Sequence, residues 1–218
     1  MPFSKKINKD FFKSWSNDVS YILGFLFADG EITENKRGAY YFTFHSSDNK
    51  FLQEIKKKMD SGHKISRRKD NVYRLQIGSK EMVNDLKVYG LYPKKTKRIR
   101  LPIIPKKFVP AFICGFFDGD GNVWVGYNNT QKHKGYLTIQ TSFTSASFDF
   151  LKDLKNILQE YGIIGGSLFN IKNKQCGRLT FSVQDSLKLY EIMYNKAKVA
   201  FCLNRKKLVF ERYIKMRA

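Results

Sequence analysis

The chain has 218 residues, 42% hydrophobic and 15% aromatic, enough to bury a sizeable core as one large domain or two small ones. Its 40 Lys and Arg against 19 Asp and Glu leave a net charge of +21. That much self-repulsion points to a polyanionic partner. No apolar run reaches the roughly 18 residues of a membrane span, and "MPFSKKINKDFFKSW" has no signal-peptide apolar region, so neither a membrane partner nor secretion is expected.

In chain order, "ILGFLFADG" (22–30) reads as an apolar helix that ends on Asp29-Gly30. Two strands follow, "EITENK" and "AYYFTFHS", around the turn signal Arg37-Gly38. "NKFLQEIKKKM" has helical spacing, with Phe51, Leu52, Ile55 and Met59 on one face. "HKISRRK" and "VYRLQIGS" are two more strands about Asp70-Asn71, and "KEMVNDLKVYGL" closes the unit as a helix. The stretch 93–110, "PKKTKRIRLPIIPKKFVP", is rich in proline and basic residues and reads as a linker.

Beyond it the series repeats. "ICGFFDGDG" is a second apolar helix ending on Asp120-Gly121, followed by strands "NVWVGYNN" and "YLTIQTSFT". Helix "FDFLKDLKNILQEYG", strands "GSLFNIKN" and "GRLTFSVQ", and helix "DSLKLYEIMYNKA" complete it. Asp29 and Asp120 are 91 residues apart, and later landmarks drift outward by short insertions. The expected fold is α+β: two tandem, pseudo-symmetric αββαββα units over residues 1–92 and 111–218.

Small residues fall four apart in both motif helices, Gly24 and Ala28 in one and Gly115 and Gly119 in the other. Residues four apart share a helix face, and small ones let two backbones approach closely. The two helices are therefore expected to pack together, with Phe25, Leu26, Phe116 and Phe117 turned into the cores. Asp29 and Asp120 then end neighbouring helices, with Gly30 and Gly121 in left-handed caps. An acid is misplaced at a helix C-terminus, which already carries about half a negative charge. Two carboxylates about 5 Å apart repel by roughly 3 kcal/mol at an effective dielectric near 20. A divalent cation held by Asp29 and Asp120 relieves that conflict, and the end carbonyls of Ala28 and Gly119 can serve as further oxygen ligands.

Cys114, Cys176 and Cys202 are odd in number and far apart, which fits a reducing intracellular compartment without disulfides. His45, His63 and His133 pair with no cysteine at zinc spacing.

Alternation along the strands assigns their faces. With Ile32, Phe42, Phe44, Ile65, Tyr73, Leu75 and Ile77 inward, the opposite face carries Thr33, Asn35, Arg37, Tyr41, Thr43, Ser66, Arg68, Arg74 and Gln76. In the second unit Trp124, Asn128, Thr138, Gln140, Ser142, Arg178 and Thr180 face outward. Arg, Asn, Gln and Thr are residue types that hydrogen-bond base edges in a major groove.

The two helical motifs, their repeat and the "LYPKKT" approach to the second resemble the LAGLIDADG homing endonucleases in their single-chain, two-repeat form. The resemblance spans nearly the whole chain. It implies a saddle of two four-stranded antiparallel sheets, with the motif helices packed at their interface, lying along double-stranded DNA in a monomer with no obligatory protein partner. It also implies magnesium-dependent hydrolysis that leaves a staggered double-strand break, with manganese substituting and calcium binding without cleavage. Asp29 and Asp120 match the metal-binding acids of the motifs. The lysine that enters from the end of each repeat is matched by Lys95 in the first copy and by Lys196 or Lys198 in the second. Phe27 stands where Asp118 stands in the second copy and where the motif is usually acidic; it is expected to add packing. The alternatives are an RNA maturase and a non-catalytic DNA-binding regulator of the same fold. An intein is disfavoured by the Met-Pro start and the lack of a terminal His-Asn.

Overall fold

A computed structural model describes residues 5–93, 97–128, 135–172 and 174–217, with the Asn128 side chain excluded. Ser16 starts the first helix, its Oγ accepting the Val19 N–H at 3.1 Å. Helix α1 (Asn17–Asp29) has every side chain from Val19 to Phe27 buried, so it is surrounded by protein rather than lying on a surface. It runs straight into β1 (Gly30–Glu34), followed by β2 (Tyr40–Ser46), α2 (Asn49–Lys58), β3 (Ile65–Arg67), β4 (Tyr73–Gly78) and α3 (Lys80–Val88). The sheet is antiparallel in the order β1-β2-β4-β3. Asp48 and Ser79 cap α2 and α3.

The second half repeats the plan with α4 (Val109–Asp120), β5 (Gly121–Asn128), β6 (Tyr136–Ser145), α5 (Phe148–Gln159), β7 (Ser167–Asn170), β8 (Gly177–Phe181) and α6 (Val183–Tyr190). Its sheet has the matching order β5-β6-β8-β7. In each half the motif helix lays aromatic rings on its own sheet: Phe25 stacks on Phe44, and Phe116 and Phe117 both pack on Phe143. The α+β tandem architecture read from the sequence is thus the architecture observed.

Three local expectations need correction. Gly30 and Gly121 are not left-handed: both are extended, at φ −85° with ψ 154° and 155°. Glycine is needed there for space, because an added Cβ would sit 2.5 Å from the carbonyl oxygen of Leu26 or Phe117. The last predicted helix stays α-helical only to Tyr190 and continues as a π-helical turn, Glu191–Lys196. After it comes α7 (Asn204–Arg217), which the repeat pattern does not announce.

The described part of the stretch between the halves is strapped down. Arg100 makes two bonds to Asp153 of α5, at 2.6 and 2.8 Å, and Ser147 Oγ donates to the Ile99 carbonyl at 2.7 Å. Cys114, Cys176 and Cys202 are free thiols. Among the described residues no helix is long and apolar enough to cross a membrane.

Candidate nucleic-acid interface and acidic centre

Helices α1 and α4 touch through their backbones. A methyl group on Gly24 would fall on the Phe112 carbonyl, and one on Gly115 on the Tyr21 carbonyl. One on Gly119 would collide with Ala28 Cβ and lie 3.3 Å from Asp29 N. The small residues spaced four apart therefore do make the seam, and they bring the last turns of both helices into contact. Asp29, exposed, and Asp120, half-buried, end those turns.

The pseudo-twofold relation, an offset of 91 residues, pairs Tyr21 with Phe112 and Phe27 with Asp118. One side of the seam is apolar: Phe27 packs edge-on to Phe112 at 5.4 Å and stacks with Phe150 at 6.0 Å. Its counterpart is polar, with the Tyr21 hydroxyl donating a short hydrogen bond to Asp118 Oδ2. The Leu203 N–H donates to the same oxygen at 2.8 Å, and Asp118 Oδ1 is buried without a hydrogen-bond partner among the described residues. Burial pushes the Asp118 carboxyl above its ordinary range, opposed by those two donors and by the charge of Lys206. Burial, then the nearby Asp118 charge, drives the Tyr21 hydroxyl up as well.

The lysine seated at the end of α4 is Lys206, not Lys196 or Lys198. Lys196 is exposed at the end of the π turn, and Lys198 is exposed in a left-handed conformation at φ 49°. Lys206, on the buried face of α7 with Phe210 and Tyr213, sends its ammonium onto α4. It donates to the carbonyls of Phe117 (2.6 Å), Asp118 (2.8 Å), Gly119 (3.3 Å) and Gly121 (2.6 Å). Burial lowers its pKa to about 8, with the charges of Asp118, Asp29 and Asp120 pulling it back up. A cation thus already offsets the negative helix end in the second half, so a metal is not the only relief for the charge conflict. The 206, 210, 213 spacing was the available signal, but it lies beyond the repeat. Lys95 falls outside the described residues.

Beside this terminus opens a cavity of about 280 Å³ lined by Gly119, Gly121, Asn122, Val123, Arg205, Lys206 and Val209. Among the described residues no three His, Cys, Asp or Glu side chains cluster to hold a metal. The donor set here is two carboxylates and helix-end carbonyls, with Gly119 O engaged by Lys206 only through its longest bond. All-oxygen, incomplete and open to solvent, that set fits a hard divalent ion whose remaining ligands are water and phosphate, and does not fit zinc.

The strand faces largely follow the alternation. Across the first sheet the ladder aligns Thr33 with Tyr41, Thr43 with Glu31 and Gln76, and Arg74 with His45 and Ser66. Arg37, Ser66 and Arg68 are exposed, and Thr33, Tyr41, Arg74 and Gln76 half-buried. Trp124, Gln140 and Arg178 are exposed in the second sheet, with Thr138 and Thr180 half-buried. Thr43 and Ser142 depart from this: they are 2% and 6% exposed, short side chains on the second strand of each sheet between longer neighbours. The Asn35 side chain is committed to its own hairpin, its oxygen accepting the N–H groups of Arg37 and Ala39 at 2.9 Å. Glu31, His45 and Asn122 share these faces and were not picked out from the sequence. His45 Nε2 lies 3.8 Å from Glu31 Oε2, and Arg74 Nε is buried with no hydrogen-bond partner among the described residues.

Two four-stranded sheets joined through paired helices that end in acids define an α+β tandem-repeat protein. Residues 107–192 match the LAGLIDADG-like domain family. The fold over most of the chain is that of meganuclease I-SmaMI bound to uncleaveable DNA, with a TM-score of 0.66 at 14% identity over 90% of this chain and 89% of that one. LAGLIDADG meganuclease I-AabMI bound to uncleaved DNA gives 0.64 at 16% identity over 90% and 88%. Residues 107–192 are thus similar to a LAGLIDADG-like domain, and the chain as a whole has the fold of these LAGLIDADG meganucleases.

Among curated proteins it is 29% identical over 153 residues to a probable translation initiation factor IF-2 of Thermococcus kodakarensis, covering 66% of this chain and 12% of that one. It is 27% identical over 157 residues to a replication factor C small subunit of Methanocaldococcus jannaschii, covering 69% and 8%. The chain thus spans about a tenth of the length of these curated relatives.

Proposed function

We propose that the chain is a site-specific DNA endonuclease that makes a staggered double-strand break. The observation that carries this reading is the glycine seam, which brings two helix-terminal acids together in a protein of net charge +21. The two repeats, 1–92 and 111–218 joined by 93–110, lay their open sheet faces along the duplex. Arg74, Gln76, Gln140, Arg178 and their neighbours contact base edges, while the lysine-rich loops contact phosphates.

Asp29 and Asp120 hold the metal, with the Ala28 and Gly119 carbonyls as further ligands. When bound, magnesium supplies Lewis-acid stabilisation of the phosphate and an activated water, manganese substitutes, and calcium supports binding alone. Each acid serves one strand. The Lys206 ammonium, held on the α4 carbonyls, puts a fixed positive charge beside the phosphate that Asp120 addresses, where charge develops in the transition state. In sequence, Pro93-x-Lys95 parallels Asn204-x-Lys206, and Lys95 takes the corresponding role in the first half. The protein works as a monomer in a reducing intracellular compartment.

The proposal is supported by the solved I-SmaMI complex described as bound to uncleaved DNA in the presence of calcium ions. The test is selection from a randomised duplex library, with magnesium and then with calcium. Recovery of one cut sequence in magnesium, bound but uncut in calcium, is expected. Tight binding without cutting in either metal would replace the nuclease reading with a non-catalytic DNA-binding role.

A further inference from the structure

We infer that Asp118 is a positioning residue for the second cut site: it holds both ends of the turn that seats Lys206 on the end of α4, where the related position of the first half is the phenylalanine Phe27. The inference rests on the endonuclease reading for its consequence, but its geometry stands apart from that reading.

The turn runs from Leu203 to Lys206 and is closed by the Lys206 N–H donating to the Leu203 carbonyl at 2.9 Å. Asp118 grips it twice. Its side chain takes the Leu203 N–H at 2.8 Å, and its backbone carbonyl takes the Lys206 ammonium at 2.8 Å. The same carboxylate oxygen also accepts the Tyr21 hydroxyl from α1, so the first half of the molecule braces a lysine that serves the second. The same segment leans on the first half through Phe201, whose ring packs edge-on to Tyr21 at 4.9 Å.

Asp118 is 1% exposed and one of its oxygens has no partner among the described residues, an arrangement that costs stability in isolation. Such a cost makes sense where a charged side chain must be held in one place. At the related position of the first half stands Phe27, whose ring packs on Phe112 and Phe150 and carries no side-chain oxygen. The two cut sites are therefore built differently. Loss of the Asp118 grip should affect only one of them.

The test uses the full chain and a selected duplex labelled on each strand. Asp118→Leu is expected to slow one strand by about 10²-fold, the cost of an ångström's misplacement, and leave the other within about twofold of the parent. Asp118→Asn keeps an acceptor for both donors and should cut both strands. Tyr21→Phe, a gentler change, should slow the same strand as Asp118→Leu. Equal slowing of both strands, or of neither, overturns the inference.

A second readout needs no DNA. An amine-acylating reagent followed by mass spectrometry should find Lys206 shielded in the parent and in Asp118→Asn. In Asp118→Leu it should react as fast as exposed Lys196. Continued shielding in Asp118→Leu overturns the inference whether or not the protein cuts DNA. A parent that cuts nothing, with shielding lost on replacing Asp118, would leave the positioning role intact and sink the endonuclease reading.

Discussion

Asp29 and Asp120 are alike in sequence and unlike in setting. Asp29 is exposed, whereas Asp120 is half-buried at a terminus whose carbonyls hold a buried lysine. On the proposed function each acid is needed for its own strand. Asp29→Asn or Asp120→Asn is expected to lower double-strand cleavage by at least about 10³-fold, the scale of lost charge stabilisation at a transition state. Binding in calcium should persist, as read by gel shift beside a plasmid-linearisation assay. Full linearisation by either variant would remove the two-acid assignment.

The acids are legible in the sequence because a helix twice ending in Asp-Gly, at matched positions, is hard to explain by turn chemistry alone. Lys206 is not legible by that route. Its partner is a backbone terminus, which leaves no mark on residue identity, and it lies after the last repeated element. The burial of Thr43 and Ser142 is not legible for a different reason. Alternation gives the direction of Thr43 and Ser142 but not the height of the side chains around them, and both are covered by longer neighbours.

Among the elements, α1 and α4 depend most on having no side chain at one position. Gly115→Ala would drive a methyl group into the Tyr21 carbonyl, a backbone atom that cannot swing aside. The expected cost is about 3 kcal/mol or more, at the upper end for overpacking, measured by urea denaturation. A fully stable Gly115→Ala protein would contradict the seam.

The strap onto α5 makes a smaller, pH-dependent contribution. The Arg100 guanidinium beside Asp153 holds that carboxyl below its usual range, with burial opposing. A lowered carboxyl pKa stabilises the fold above the usual carboxylate range, and the gain is lost as pH falls through the lowered value. Asp153→Asn should therefore reduce the melting temperature slightly at neutral pH, Arg100 being largely exposed, and the difference should close in strong acid. A gap that widened in acid would refute this account of the pair.

For the whole molecule, the charge of +21 bears on association more than on folding. If the lysine-rich loops contact phosphates, DNA affinity should fall by about 10³-fold or more between roughly 50 and 200 mM salt. Affinity indifferent to salt would argue against binding along a duplex. The tandem plan itself is legible from order and spacing. The π turn, α7 and the anchored segment before α4 are not, because each is held by contacts with distant elements of the second half that no local pattern carries.

Because Gly24 and Gly115 let two main chains rest directly on each other, the separation of Asp29 from Asp120 is a built-in gauge with almost no give. Such a gauge measures its substrate as well as reading it. One base pair inserted midway between the two scissile bonds, about 3.4 Å of extra length, should stop cutting of at least one strand even when every flanking base is correct. The same insertion beyond either outer edge of the target should pass almost unnoticed.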